Sequence, residues 1–327
     1  MLQSSKLIRQ ALVWLAICIA IYGVAVIVQG WDEVAASLAK VSPLIWLSVI
    51  GLSTLNIAVR FIRWQFYLQR LGHHVSPLRS LAYMFCGFAF TSTPAKAGEA
   101  VRSLYLKQHG VTYTDSLAAL FVERLTDLLA VVLLAMMAAL VDPQLRWPVA
   151  LASVALLLLL PLVHSTALQR LAQTIATKLG IEVLEKAVTH IVGLLQSSSG
   201  LLRSGPLYFG MTLSVIAATA VSFSMYVVLT GMGIDIPVYL ALGIYATGIL
   251  AGALSFLPGG IGSAELVMLG LLILAGVDKP SALAAILICR VGGMWYPVAA
   301  GMLTVIGVEL SGDKLPEDEL SNEKEAG

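Results

Sequence analysis

Long apolar runs alternate with short polar connections along this chain, and the runs set its elements. "ALVWLAICIAIYGVAVIV" (11–28) is the first, and comparable stretches cover about 43–62, 115–141, 147–163, 206–230 and 281–309. Each approaches the roughly 20 residues that a helix needs to cross about 30 Å of hydrocarbon. Six full transmembrane helices are therefore predicted. Two further apolar segments, 80–94 and 239–257, run into Pro/Gly breaks and resume as short helices over about 97–109 and 262–276. These are read as re-entrant helical hairpins, which brings the hydropathy count to eight. Between 164 and 205, Leu168, Leu171, Ile175, Leu179, Leu184, Val188, Ile191 and Leu195 recur at three- to five-residue steps among Arg170, Lys178, Glu185 and Lys186. That spacing predicts an amphipathic helix at the membrane surface. The segment 311–327 is polar and acidic and reads as a disordered tail.

Composition fixes the class. The chain is 58% hydrophobic and 12% charged, with a mean hydropathy of +0.89. Soluble domains run at about 45–50% apolar and about 25% charged, so residues 1–310 are expected to be one all-α integral membrane domain. The first run follows Lys6 and Arg9 but is too long for a signal peptide and lacks a small-residue cleavage site, so it is read as an uncleaved span. A net charge of +1 gives no reason to expect nucleic acid. Cys18, Cys86 and Cys289 lie in apolar runs without metal-ligand spacing and read as small packing residues.

Basic connections give the orientation. Arg60, Arg63, Arg70 and Arg79, then Arg170, Lys178, Lys186 and Arg203, mark cytoplasmic sides. Both termini are then cytoplasmic in the inner (plasma) membrane. Arg60 and Arg63 are read as ordinary anchoring charges, with contact to lipid phosphates as the alternative. Trp14, Trp31, Trp46, Trp64, Trp147 and Trp295 are read as mostly interfacial anchors.

The two halves repeat. "GVTYTDSLAALFVERL" (110–125) aligns without gaps on "GVDKPSALAAILICRV" (276–291), with Gly110/Gly276 and Arg124/Arg290 among the identities. The same offset pairs Glu99 with Glu265, and with two extra residues Pro94 answers Pro258. Repeat 1 covers about 43–141 and repeat 2 about 206–309. Three crossings separate the hairpins, which inverts the second unit. Inverted repeats whose broken helices meet at the midplane are a transporter architecture. If both hairpins were full spans, the repeat would be parallel instead.

Ionisable residues stand inside or beside these spans: Glu99, Arg102, Glu123, Arg124, Asp127, Glu265 and Arg290. A charge at a helix centre costs roughly 2.5–3.5 kcal/mol on the insertion scale, so these groups must face one another, a cavity or an interface. Glu123 and Asp127 share a helix face, whereas Arg124 is rotated by about 100° and is free to pair with Glu99 or Glu265. Structural ion pairing is the competing explanation, at even weight for Glu123 and Asp127. Arginine suits phosphate, which its fork grips through two oxygens. Pro94, Gly98, Pro258, Gly259, Gly260 and Gly262 are the expected helix breaks. "LPGGIG" is not a phosphate-binding loop, because no Gly-Lys-Ser/Thr follows and no strand precedes it. His73–His74 lacks a third metal ligand. No metal or cofactor is expected.

The order P-x-x-x-G-E-x-x-R (94–102), E-R-x-x-D (123–127), P-G-G-x-G-x-x-E (258–265) and a late span arginine (290) resembles the lysylphosphatidylglycerol synthase transmembrane region, a flippase-like membrane family. The resemblance covers about 10–309 and implies lipid translocation. In two-part relatives a separate soluble domain makes the aminoacylated phospholipid; only a tail follows residue 309 here, so synthase activity is not carried over. Stand-alone relatives suggest polyprenyl- and hopanoid-type lipids as further cargoes.

The expected function is a flippase- or scramblase-like transporter of a phosphate-bearing lipid, and not an enzyme. Arg102, Arg124 and Arg290 would hold the phosphate, and Glu99 and Glu265 would balance them across one cavity. Expected partners are membrane lipids, a separate lipid-synthesising enzyme and a second copy of the chain. The alternatives are an enzyme on a lipid-linked substrate, with Glu99 or Glu265 as acid or base, and a structural or regulatory membrane partner.

Overall fold

A computed structural model describes residues 41–91, 93, 98–139 and 182–310, with isolated positions elsewhere. The spans expected at 11–28 and 147–163 fall almost wholly outside the described residues, as does most of the linker before residue 182. Pro94 and the tail fall wholly outside them.

The described residues form helices and turns, without strands. Helix α1 runs Pro43–Arg70, α2 Pro77–Phe88, α3 Val101–Lys107 and α4 Tyr113–Ala139. Helix α5 (Glu182–Ser199) precedes α6 (Ser204–Gly231), α7 (Val238–Leu254) and α8 (Ser263–Leu274). Helix α9 (Lys279–Arg290) passes through a π-helical turn, Val291–Trp295, into α10 (Tyr296–Leu310). Proline opens α1, α2 and α9 within the first turn, where the missing N–H has no helical partner to lose. Asp278 caps α9 by accepting the Ser281 N–H at 3.0 Å. Thr112 does the same for α4, taking the Asp115 N–H at 3.1 Å.

By length and composition, α1, α6 and the continuous stretch Lys279–Val308 are each able to cross a membrane. Helix α4 is also long, at 27 residues, and carries the charged motif.

The order of elements recurs. A 28-residue helix, a turn, a second helix, a break, a short helix and a closing helix appear from Pro43 to Ala139 and again from Ser204 to Leu310. Gly110 and Gly276, matched in sequence, both turn the chain at left-handed φ, 77° and 88°, where a side chain would be strained.

Packing between the halves is reciprocal: α1 lies on α6, α4 on α7 and α2 on α10. Helices α1 and α6 run antiparallel. Ile45 lies against Gly231 and Tyr67 against Gly210; between them, the Asn56 amide donates to the Ala217 carbonyl at 2.7 Å. Small residues on α6 (Gly210, Ser214, Ala217, Ala218) line the buried side. They permit the close approach on which helix association in lipid depends. One apolar core gathers Trp64, Tyr67, Tyr83, Tyr105 and Val122; a second gathers Val49, Met225, Tyr245, Met268 and Ile286.

Helix α5 packs against α4, with Val192 and Ser198 buried. The part of the amphipathic linker that is described is therefore docked on the helical body.

Candidate functional site

Two breaks interrupt the short arms of the halves, and each carries one of the matched glutamates. In the first half a short turn over 98–100 leads into α3, so Glu99 and Arg102 stand one turn apart. A side chain on Gly98 would collide with Phe90 and Thr93, which explains the glycine there. Tyr83 of α2 stacks on Tyr105 of α3 at 5.2 Å, holding the two arms together. In the second half Pro258–Gly260 makes a 3-10 turn. Gly259, Gly260 and Gly262 take φ of 60°, 65° and 90°, which L side chains rarely adopt. The breaks expected at Gly98, Pro258, Gly259, Gly260 and Gly262 are thus present.

Three elements then bring charge to one place. Helix α4 presents Glu123, Arg124 and Asp127. Helix α1 presents Arg60 and Arg63, three apart and on one face. The first break supplies Glu99 and Arg102.

Glu123, fully buried, is the centre. It meets Arg60 at 3.0 Å, Arg63 at 3.2 Å, Arg102 at 2.5 Å and Arg124 at 3.2 Å. Arg124 also meets Glu99 at 3.0 Å and Asp127 at 3.6 Å. Arg60 lies 3.8 Å from Glu99 and 3.6 Å from Asp127. Arg63 holds Asp127 at 2.6 Å and donates to the Ser214 hydroxyl across the α1–α6 contact. The Thr91 hydroxyl donates to Glu99 at 3.2 Å. Arg102 also lies over the Trp64 ring, 3.6 Å from its centroid.

A second set sits at the other break. Arg290 meets Glu265 at 2.6 Å and donates to the Gly259 carbonyl at 2.8 Å. Glu265 in turn accepts the Gly262 N–H at 2.7 Å. This pair ties α8, α9 and the turn together.

Of the site residues expected from sequence, Glu99, Arg102, Glu123, Arg124 and Asp127 converge in one cluster, and Glu265 and Arg290 meet in another. Arg124 reaches Glu99, one of the two partners expected, and also closes on Glu123 and Asp127 despite its rotation on α4. Arg60 and Arg63 were not expected here. They are not anchoring charges at a helix end, because α1 continues to Arg70 and carries both into the interior. Trp64 is likewise buried among them. Cys86 and Cys289 are buried in the packed interior, as small packing residues should be. His73 bonds Asp115 at 2.8 Å, linking the α1–α2 connection to the start of α4.

Apolar helices long enough to span a bilayer, with buried ion pairs gathered at interrupted helices, define an integral membrane protein of the polytopic helical class. The chain belongs to the family described as the lysylphosphatidylglycerol synthase TM region, which it matches over residues 13–301. It is also similar to two proteins of Methanothermobacter thermautotrophicus, each named a UPF0104 membrane protein. One is 27% identical over 266 residues, covering 76% of this chain and 78% of the relative. The other is 23% identical over 307 residues, covering 86% and 90%.

Proposed function

We propose that this protein moves a phosphate-bearing lipid between leaflets, as a flippase- or scramblase-like transporter and not as an enzyme. The observation that carries the reading is the buried cluster around Glu123, set beside the interrupted arm of the first of two similar halves. Burying so many ions is costly in any bilayer, and where such groups stand inside membrane segments they mark pathways for polar cargo. The family description, which names a phospholipid product, points to the same cargo class. Aminoacylated phospholipids and polyprenyl- or hopanoid-type lipids fit it.

The proposed mechanism uses the halves as inverted repeats, each with a re-entrant hairpin, rocking against one another. The antiparallel contact of α1 with α6 and the reciprocal packing of the other helices support this reading. Arg124, at the open side of the cluster, takes the lipid phosphate. Arg102 holds Glu123 in place, and Arg290 with Glu265 secures the second break. We further propose a plasma-membrane location with cytoplasmic termini, six full spans, a separate lipid-synthesising enzyme as partner, and self-association.

The test is reconstitution with fluorescent phospholipid and a leaflet-selective quencher. Glu99→Gln, Arg124→Ala and Arg290→Ala should each slow headgroup transfer. Transfer unaffected by all three overturns the mechanism, and covalently altered lipid overturns the assignment as a transporter in favour of an enzyme.

A further inference from the structure

A proline stands inside the late span. Lys279–Val308 is one continuous helical stretch, and Pro297 lies just past its π turn. Proline has no N–H for the carbonyl four residues back, and its ring crowds that carbonyl, which here belongs to Gly293. The mismatch is taken up in Val291–Trp295, where the Tyr296 N–H reaches the Val291 carbonyl, one residue further back than in an α-helix. In that register the next donor would be Pro297 and its acceptor the Gly292 carbonyl. The donor is absent, and the Ser53 hydroxyl of α1 donates to Gly292 instead, at 2.8 Å. The rest of the turn is fitted to its surroundings. Gly292 lies against Val49 of α1, Gly293 against the Tyr245 hydroxyl of α7 and Val221 of α6, and Met294 against Gly259 of the second break.

The two sides of the turn belong to different bodies. Helix α9 packs on α6 and α8, and Ile286, Ile288 and Cys289 join the core of the second half. Helix α10 packs on α2, where Gly301 fits against the backbone of Phe85 and Ala89 and Val305 joins the core of the first half. One continuous helix thus runs from one core into the other and changes register between them. The first half has no such turn. The offset that pairs Glu99 with Glu265 sets Leu125–Leu129 against the turn and Val131 against Pro297, and α4 passes through these residues unbroken. The duplicated plan therefore does not require the turn.

We propose that the π turn is a swivel on which the α2–α10 pair turns against the body built from α6 to α9, with Ser53 as the latch that sets its resting position. That the motion serves lipid movement rests on the transport reading above; the swivel does not. Proline and π turns are the usual causes of sharp helix kinks, and both coincide here. A hydroxyl–carbonyl contact is a weak tie that can open, and the missing N–H leaves no helical bond to hold the angle in its place. Because Met294 touches Gly259, whose carbonyl accepts from Arg290, a change of angle is passed to the second break. Leu303 lies roughly 15 Å beyond Gly293 at about 1.5 Å per residue, so a change of about 20° moves it by about 5 Å.

The test reads spin-label distances in the full chain, purified and placed in phosphatidylcholine nanodiscs, with Cys18, Cys86 and Cys289 replaced by Ala. Labels at Leu274→Cys and Leu303→Cys, both exposed, report across the turn. Labels at Gln108→Cys and Met136→Cys, at the equivalent stretch of the first half, report along the unbroken α4. The first distribution should be broader than the second by about 5 Å. Pro297→Ala restores the backbone N–H and should narrow it to the width of the control. Ser53→Ala should shift its mean by several Å, and in the Pro297→Ala background that shift should vanish, because the restored N–H holds the turn without the latch. A role of Ser53 in packing alone would give the same shift in both backgrounds. A wild-type distribution as narrow as the control, a width unchanged by Pro297→Ala, or equal Ser53→Ala shifts in the two backgrounds overturns the inference. If Pro297→Ala narrows the distances but leaves headgroup transfer in vesicles at its full rate, the swivel stands and its part in transport is refuted. Transfer slowed with the distances unchanged refutes the swivel alone.

Discussion

The guanidinium of Arg102 lies over the ring of Trp64, 3.6 Å from its centroid, while its other end meets Glu123 at 2.5 Å. An arginine fork can stack and donate at the same time, whereas a lysine ammonium cannot reproduce both contacts. Arg102→Lys should therefore lower stability by about 1–3 kcal/mol, read as an earlier thermal transition in detergent. Trp64→Phe keeps a weaker aromatic face and should fall between the two.

Glu123 is the carboxylate on which four arginines converge. Glu123→Gln leaves those cations with two carboxylates, Glu99 and Asp127, and should destabilise by about 3–5 kcal/mol. A double variant, Glu123→Gln with Arg102→Met, removes one of the uncompensated charges and should regain part of that loss. A thermal double-mutant cycle measures the recovery. No recovery would mean that the two residues are not coupled.

The left-handed turn at the second break makes a contrast between two glycines. Gly260 has a φ of 65° and packs on the Gly252 backbone, so Gly260→Ala should cost at least about 1–2 kcal/mol. Gly270 lies within α8 with open space around it, so Gly270→Ala should be neutral or stabilising by up to about 1 kcal/mol. Thermal unfolding of the two variants, side by side, checks the difference.

The proposed inversion of the halves has a topological readout. Gln108 and Lys279 are exposed at equivalent turns of the two halves. Single cysteines there, in a background with Cys18, Cys86 and Cys289 replaced by Ala, should react with an impermeant thiol reagent from opposite sides. Labelling from one side alone refutes inversion and leaves a parallel repeat.

Much of the architecture was legible in the sequence, for identifiable reasons. Apolar run lengths located α1, α4, α6 and α9–α10, and glycines at 259, 260 and 262 located the second break because few other residues accept those angles. A charged residue in an apolar helix needs a partner, which is why Arg124 with Glu99 was among the pairings expected. Arg60 and Arg63 were misread because two arginines after an apolar run look like the end of a span. The signal that places them inside is the helical pattern beyond them: Ile57, Trp64, Tyr67 and Leu68 keep one buried face to the end of α1. Which residues meet across the halves was not legible from matching positions. A repeat says that Glu99 and Glu265 are equivalent, not that they are neighbours, and each is held by its own arginine, 25 residues further on in both halves.

The reciprocal packing of the halves has a consequence for how the chain enters a bilayer. Helix α1 lies antiparallel on α6, and α4 and α2 pack on α7 and α10 in turn, so similar helices are met from either end of the body. Cations near the helix ends, among them Arg70, Arg79 and Lys107, are then the residues expected to weigh on orientation. If the halves are inverted as proposed, a handful of charge reversals there should produce a mixed population of upright and inverted molecules, each facing the opposite compartment.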